Sequence, residues 1–347
     1  MQLSDLVFSD LCVADNVADS WFKATPDSMI TKPIPAECGE ELSRLRDHLQ
    51  KCGSRSATFK VEWPPVAGEI QVDSNELLLR RLRVERLSVA GGAIDATVYI
   101  CRRYRLKPGP LATTGMPTTV ARKLMDPSLS EGLVVFFGKT GSGKTTAAAS
   151  YIIDRLSSFG GVCWTIENPI EIPIQGRYGS GVCYQTEVSS DEDIGEAISK
   201  LYRATPNIIF LGELRNHGAV LEALAAATSG HMVITTCHAP DLITGLSRLA
   251  LFADESSVTL ADALKVAVHL ELHTLEGLER KPIPQSHVAA ADAKGTGTPP
   301  RVLSVEPLWV PGISADGVKS MLREGGIHLL SSEIERQRRI FMQDKLP

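Results

Sequence analysis

The stretch LVVFFGKTGSGKTTAAASYII, which runs from Leu133 to Ile153, decides the fold of this chain. Its apolar start predicts a buried strand, its glycine-rich middle predicts a tight loop, and its alanine-rich end predicts a helix. Gly138 to Thr145 fits the pattern G-x-x-x-x-G-K-S/T, in the strand and helix context that this pattern requires. The sequence therefore predicts a phosphate-binding loop within an α/β fold.

The residue types in this loop predict how it holds a nucleotide. Backbone amides of the turn and the positive end of the following helix can surround the β-phosphate. The Lys144 ammonium is expected to reach the β- and γ-phosphate oxygens, and the Thr145 hydroxyl to bind Mg²⁺. Kinases, GTPases and motors all use such a loop, so other residues must discriminate among them. The predicted nucleotide-binding residues are Gly138, Lys139, Thr140, Gly141, Ser142, Gly143, Lys144, Thr145 and Thr146.

Beyond this stretch, apolar runs alternate with helical segments. GVCWTI, NIIFL and HMVITT predict further buried strands, and GAVLEALAAATSG predicts a helix between the last two. Such alternation indicates a parallel sheet that is covered by helices on both faces.

Carboxylates follow two of these predicted strands. Glu167 and Glu171 come after GVCWTI, and Glu213 comes after NIIFL. Open α/β sheets bind ligands beyond the carboxyl ends of their strands, where a carboxylate can orient a water molecule or hold Mg²⁺ through water. Glu167 and Glu213 are therefore alternative general bases, although a cap of the next helix is an ordinary structural role for Glu213.

Two histidines flank the last of these strands, in TSGHMVITTCHAPD. His231 precedes the strand and His238 lies at its end. A histidine in a buried sheet is more often structural than catalytic. No Cys/His pair with the usual short spacing lies nearby, so the sequence does not predict a zinc site.

Composition excludes several classes of protein. The chain has 347 residues, of which 43% are hydrophobic and 22% charged, as in ordinary globular proteins. Its formal net charge of -5 and its 5% aromatic content argue against a protein that coats nucleic acid, so direct nucleic-acid binding is not expected. None of the seven cysteines lies in a C-x-x-C pair, which favours reduced thiols in a cytosolic protein. No apolar run reaches about 18 residues, so any membrane contact is expected to be peripheral.

Two domains are expected for a chain of this length. Residues 1–107 combine short alternating runs with a helix in ECGEELSRLRDHLQKCG, and predict a small α+β domain. KPGPLATTGMP is rich in proline, glycine and threonine and predicts a linker or hinge at 108–120. Residues 121–347 then form the nucleotide-binding domain.

Taken together, GKTGSGKTT, TIENPIE, IIFLGELR and TSGHMVITTCHAPD resemble, in order and spacing, the four motifs of the secretion superfamily ATPases. This is the family of type II and type IV secretion and type IV pilus motors. ADALKVAV and SADGVKSMLREG are similar to its C-terminal helices. The resemblance implies a RecA-like P-loop NTPase core with a parallel sheet, a small α+β, PAS-like N-terminal domain, and ATP and Mg²⁺ as cofactors.

The resemblance also assigns roles to single residues. Gly138 to Thr145 is the Walker A loop, Glu167 lies in the acidic box, Glu213 is the Walker B glutamate, and the two histidines form the histidine box. His238 is expected to sense the γ-phosphate. The implied catalytic residues are Glu213, Glu167, His238, His231, Arg83 and Arg102.

The two arginines come from the N-terminal domain, in RRLRVE and YICRRY. In the family this domain supplies positive charge to the bound nucleotide, which stabilises the transferring phosphoryl group. Arg81 and Arg103 are the alternatives if the register differs.

Departures from the family pattern indicate which branch of the family this sequence resembles. Asn168 and Asn207 stand where the family commonly has aspartate, and VAVHLEL lacks the Gln-Arg-Leu that often closes a late helix. The cysteine-rich metal insertion of the type II branch is absent. The short N-terminal domain and the spacing of Arg81 and Arg102 are similar to those of the Dot/Icm and conjugative-plasmid ATPases.

The implied function is an ATPase motor for type IV secretion or conjugative transfer. Family membership implies a homohexamer at the cytoplasmic face of the inner membrane, associated with components of that machine. A type IV pilus retraction or assembly ATPase is the alternative within the family, and a DNA-pumping motor is a variant. A small-molecule kinase and a nucleotide-binding switch or scaffold without turnover are alternatives from other classes.

Overall fold

The structure, a computed structural model, describes residues 3, 6, 8–24, 29–52, 58–62, 81–91, 94–103, 107–254, 257–274, 288–289, 301–311 and 315–342. The chain divides into two compact units, Met1–Leu106 and Lys107–Pro347. No helix in the described part of the chain combines the length and apolar character that a membrane crossing needs.

The first unit is built on a six-stranded sheet in the order β3-β2-β1-β6-β5-β4, whose neighbours pair antiparallel. The helix α1 (Gly39–Cys52) buries Leu42, Leu45 and Leu49 in the core that includes this sheet. The strands are β1 (Asp10–Ala14), β2 (Trp21–Lys23), β3 (Lys32–Pro33), β4 (Thr58–Glu62), β5 (Arg81–Gly91) and β6 (Ile94–Arg103).

The second unit is built on a nine-stranded sheet in the order β14-β15-β13-β7-β12-β11-β8-β10-β9. The strands from β13 to β10 in this order pair in parallel, and the strands at both edges are antiparallel. This confirms the predicted parallel sheet. The strands are β7 (Gly132–Gly138), β8 (Gly161–Glu167), β9 (Gly176–Tyr178), β10 (Gly181–Glu187), β11 (Ile208–Leu211), β12 (Met232–His238), β13 (Leu264–Thr274), β14 (Val288–Ala289) and β15 (Arg301–Trp309).

Helices cover both faces of this sheet. Alternate residues of a strand point to opposite faces. Val135 and Phe137 of β7 belong to one hydrophobic cluster, whereas Val134 and Phe136 belong to a second cluster on the other face. The helices are α2 (Thr118–Leu124), α3 (Lys144–Phe159), α4 (Asp193–Leu201), α5 (His217–Thr228), α6 (Leu242–Ala253), α7 (Ser257–Ala263), α8 (Ala315–Arg323) and α9 (Ser331–Met342).

One element differs from the sequence-based expectation. The resemblance implied that ADALKVAV is helical, but only its start belongs to α7, and the rest lies in Leu264–Thr274, which forms β13 beside β7. Val266, Val268 and Leu270 are buried in the cluster on one face of the sheet, and Ala267 in the cluster on the other. Burial on both faces explains why this strand is a continuous apolar run rather than an alternating one.

The predicted hinge at 108–120 is packed along much of its length. Ser150 donates a hydrogen bond to the carbonyl of Gly109 at 2.9 Å, and the amide of Leu111 donates to Asp154 at 2.8 Å. Leu111 and Met116 are buried in the same cluster as α3. The hinge stays a prediction, and its packed part begins at Gly109.

Candidate nucleotide-binding site

The phosphate-binding loop joins β7 to α3. Gly138 has φ +150°, and a Cβ atom added there would lie 2.4 Å from the Leu270 carbonyl oxygen. Gly143, the residue before α3, has φ +93°, in the left-handed region that favours glycine. The glycines therefore permit a close turn that directs the N-terminus of α3 into the loop, where its amides can bind an anion.

Lys144 is placed to hold phosphate oxygens. Lys144 is the first residue of α3 and is only 6% exposed. Its Nζ donates a hydrogen bond to the Lys139 carbonyl at 2.9 Å and lies 3.4 Å from His238 Nδ1. A buried ammonium is stabilised by nearby negative charge, which phosphate oxygens bound in the loop would supply.

Ser142 gives an independent indication that the loop fits a nucleotide. Its Oγ is buried and has no hydrogen-bond partner among the described residues. An unsatisfied buried hydroxyl costs free energy, which a phosphate oxygen in the loop would recover. The residues present thus fit a phosphate group bound in this loop.

Glu213 and His238 meet at the edge of the sheet next to this loop. Glu213 Oε1 lies 3.5 Å from His238 Nε2, and Glu213 Oε2 accepts a hydrogen bond from Arg215 Nη2 at 2.7 Å. In the parallel sheet His238 is paired with Gly138. Lys144, His238 and Glu213 therefore form a continuous chain of polar contacts.

The protonation of His238 follows from its neighbours. Burial, followed by the positive charge of Lys144, lowers the pKa of His238 below its ordinary value. The imidazole is therefore neutral at physiological pH. Because the Lys144 ammonium can only donate, Nδ1 must accept, and the proton lies on Nε2, which faces Glu213.

Glu167 lies on a neighbouring strand in a much drier environment. It is 2% exposed, and its Oε1 accepts hydrogen bonds from Thr165 Oγ1 at 2.7 Å and from Gln185 Nε2 at 2.9 Å. Burial raises the pKa of Glu167 to about 7. Gly212 packs against it, since an added Cβ would lie 3.3 Å from Glu167 Cγ. Glu167 thus lies close to the segment that carries Glu213.

Replacement of Glu167 by glutamine is expected to make stability less dependent on pH. Because the folded-state pKa is about 7 and the ordinary value 4.5, the folded protein holds a proton that the unfolded chain releases between these values. The free energy of unfolding therefore falls as pH rises through this window. Between about pH 4 and about pH 8, the wild type should lose on the order of 3 kcal/mol of its free energy of unfolding through this group, and the variant should not. Denaturant unfolding at the two pH values measures the difference.

The matched control for this experiment is Glu192→Gln, which changes an exposed carboxylate that does not contact Glu167. Its pH dependence should follow that of the wild type. Equal pH dependence in Glu167→Gln and the wild type would contradict a buried, protonated Glu167.

His231 does not lie beside His238 in this cluster. His231 immediately precedes β12, and its Nδ1 lies 3.3 Å from the Ala226 carbonyl. His238 closes the same strand at the other end, roughly 20 Å away. Arg83 and Arg102 lie on the first unit, where they are paired across β5 and β6.

Sequence reasoning missed Arg215, Gln185 and Asp191. Arg215 lies two residues after Glu213 and contacts it. This short spacing could have predicted the pair from the sequence. Gln185 and Asp191 belong to segments that contain no motif, and only the pairing of β10 with β8 brings Gln185 to Glu167.

Comparison with known proteins identifies the relatives of this chain. A family model described as "Type II/IV secretion system protein" matches residues 67–292. The "Type IV pilus ATPase PilU" of Pseudomonas aeruginosa is 31% identical over 215 residues, which cover 61% of this chain and 50% of that protein. "Type II secretion system protein E" of Pectobacterium carotovorum subsp. carotovorum is 28% identical over 213 residues, 60% of this chain and 40% of that protein. The chain thus spans half or less of the length of these relatives.

Two solved structures show the same fold. The Legionella pneumophila ATPase DotB matches with a TM-score of 0.66 and 21% identity, over 96% of this chain and 84% of that chain. The pilus retraction motor PilT with bound ADP matches with a TM-score of 0.65 and 21% identity, over 97% of this chain and 90% of that chain. The fold of this chain is therefore the one that these two structures share.

Proposed function

Because the chain belongs to the type II/IV secretion system protein family, we propose that it hydrolyses ATP to drive a type IV secretion or conjugative transfer machine. The observation that supports this best is the chain of polar contacts from Lys144 through His238 to Glu213 beside the phosphate-binding loop. It joins a phosphate-binding cation to a carboxylate that can act as a base.

In this proposal, each residue of the chain has a defined task. Lys144 and the amides at the start of α3 hold the phosphates, and Thr145 holds Mg²⁺, which supplies charge neutralisation of the phosphate oxygens. Glu213 accepts a proton from the attacking water, while Arg215 keeps the other carboxylate oxygen occupied. The neutral His238 donates from Nε2 and couples Glu213 to the phosphate side of the site.

The choice of machine rests on the sequence. The spacing of Arg81 and Arg102 and the lack of a cysteine-rich insertion in this sequence favour type IV secretion or conjugation. The 31% identity to a type IV pilus ATPase favours pilus retraction or assembly as the second candidate. In either case we propose a homohexamer at the cytoplasmic face of the inner membrane, bound there through partner proteins and without direct contact to nucleic acid.

The first experiment measures ATP hydrolysis and solution mass of the purified protein, with and without ATP. Turnover together with a six-subunit mass would support the motor. Tight ATP binding by a monomer without turnover would contradict it and favour a nucleotide-binding switch or scaffold. In cells that produce a Lys144→Ala chain, loss of plasmid transfer with intact pili would favour the first machine, and loss of pilus motility the second.

Arg102 is proposed to stabilise the transferring phosphoryl group. Its Nε donates to the buried Asp10 carboxylate at 2.7 Å, and no other hydrogen bond of Arg102 is found among the described residues. Its terminal amino groups thus remain available to an anion. Replacement by alanine is expected to lower kcat at least about tenfold with little change in ATP affinity, because the charge acts mainly in the transition state.

The control for Arg102→Ala is Arg46→Ala, which removes an arginine paired with Asp47 on α1. That variant should turn over like the wild type. Normal turnover in the Arg102 variant together with a defect in Arg83→Ala would move the role to Arg83, the residue opposite it in the sheet.

A further inference from the structure

Asp191 connects two strand ends of the candidate site, although no motif in the sequence contains it. It lies between β10 and α4. Its Oδ1 accepts a hydrogen bond from Asn168 Nδ2 at 3.0 Å, and its Oδ2 lies 3.4 Å from Arg215 Nη1. Among the described residues, the Asp191 carboxylate makes no further hydrogen bond. One carboxylate therefore joins the residue after β8 to a residue beyond β11.

Arg215 is shared between two carboxylates. Its Nη2 donates to Glu213 Oε2 at 2.7 Å while its Nη1 faces Asp191. The Arg215 side chain is 48% exposed, whereas that of Glu213 is 17% exposed. A single ion pair at a half-exposed position holds an arginine weakly, but two partners on different sides of the guanidinium fix its plane. Glu213 Oε1 is then left facing His238.

The backbone of Asp191 is fixed as well. Asn216 Nδ2 donates to the Asp191 carbonyl at 3.1 Å, and Asn216 Oδ1 accepts from the amide of Ala219, as the cap of α5. The segment that carries Asp191 is therefore tied to the same turn that carries Arg215. These backbone contacts hold the Asp191 carboxylate beside Arg215.

We propose that Asp191 is a positioning residue for ATP hydrolysis: it anchors Arg215, and through Arg215 it fixes the orientation of Glu213. This inference rests on the proposed function. ATP brings several negative charges to the loop beside Lys144, and an arginine with one carboxylate partner is attracted to them. The second carboxylate at Asp191 keeps Arg215 on Glu213 when the nucleotide is bound.

The contact with Asn168 makes the proposal sharply testable. Because the Asn168 amide donates, Asp191 must accept. Asp191→Asn replaces an anchor of Arg215 by a neutral amide. Asn168→Asp places two carboxylates face to face at a distance now spanned by a hydrogen bond, and like charges repel. The double variant restores this pairing with the donor and acceptor exchanged. The amide nitrogen introduced at position 191 donates to the carboxylate introduced at position 168, and the amide oxygen at position 191 accepts from Arg215.

The experiment compares kcat, KM for ATP and thermal midpoint for the wild type, Asp191→Asn, Asn168→Asp and the double variant of the full chain. Each single variant should lower kcat about tenfold with KM changed less than about threefold, as expected for loss of a charge-assisted contact that orients a base. On a logarithmic scale, kcat of the double variant should lie at least halfway from the single variants back to the wild type. Glu192→Gln, an exposed neighbouring carboxylate, is the matched control and should equal the wild type.

The other outcomes each overturn the inference. If the wild type hydrolyses ATP and Asp191→Asn has the same kcat, Asp191 does not position the base, and the proposed function stands without it. If the single variants fall but the double variant does not recover, or if kcat falls only in step with the thermal midpoint, Asp191 has a structural role. If the wild type itself shows no turnover, the proposed function fails and this inference fails with it.

Discussion

Replacement of Lys144 by alanine is expected to abolish ATP hydrolysis and to weaken ATP binding by about a hundredfold. The reason is the environment of the ammonium group. Lys144 is 6% exposed, its Nζ donates a hydrogen bond to the Lys139 carbonyl, and it lies 3.4 Å from His238 Nδ1. Phosphate oxygens in the loop would place negative charge beside this buried ammonium and stabilise it. Phosphate release and equilibrium titration with ATP measure the two effects separately.

The control for this variant is Lys200→Ala, which removes an exposed lysine paired with Glu196 on α4. Turnover and affinity should equal those of the wild type. The Lys144 variant should also keep its thermal midpoint without ATP, because removal of a buried charge relieves a desolvation cost. Wild-type turnover in Lys144→Ala would show that the loop is not the site of hydrolysis.

The central part of the fold could be predicted because its signals are local. The strand, loop and helix from Leu133 to Ile153 are encoded by a contiguous apolar run, by glycines and by an alanine-rich segment. The three parallel strands that end at or just before Glu167, Glu213 and His238 follow from the same kind of apolar run. Ligands bind at the carboxyl ends of such strands, and this rule then predicts the edge of the sheet that holds the site.

Other features depend on contacts that the sequence does not display. Leu264–Thr274 is a strand because β7 and β15 pair with it on either side, and an apolar run with alanines does not distinguish such a strand from a buried helix. The contact of Asn168 with Asp191 joins two loops that become neighbours only through the sheet. The sequence already predicts that His231 and His238 flank one strand, and in the structure His231 immediately precedes β12 while His238 ends it.

Glutamine at position 213 is expected to lower kcat by about a thousandfold while ATP affinity stays within about threefold of the wild type. The amide keeps the shape of the side chain but cannot accept a proton from water, and it loses the charge that binds Arg215 at 2.7 Å. Single-turnover hydrolysis and ATP titration of Glu213→Gln measure these two quantities. A preserved affinity with lost turnover separates this variant from Lys144→Ala, which should lose both.

The comparison with Glu167→Gln decides which carboxylate is the base. Glu167 already accepts hydrogen bonds from Thr165 and Gln185, and with a pKa of about 7 it is half protonated near neutral pH. If it were the base, kcat should rise with pH through this pKa, and that rise should vanish in Glu167→Gln. We expect Glu167→Gln to keep most of its turnover, because Glu213 contacts His238, which in turn contacts Lys144 of the loop. Loss of turnover in Glu167→Gln with activity retained in Glu213→Gln would transfer the proton-accepting role to Glu167 and leave Glu213 as the partner that holds Arg215.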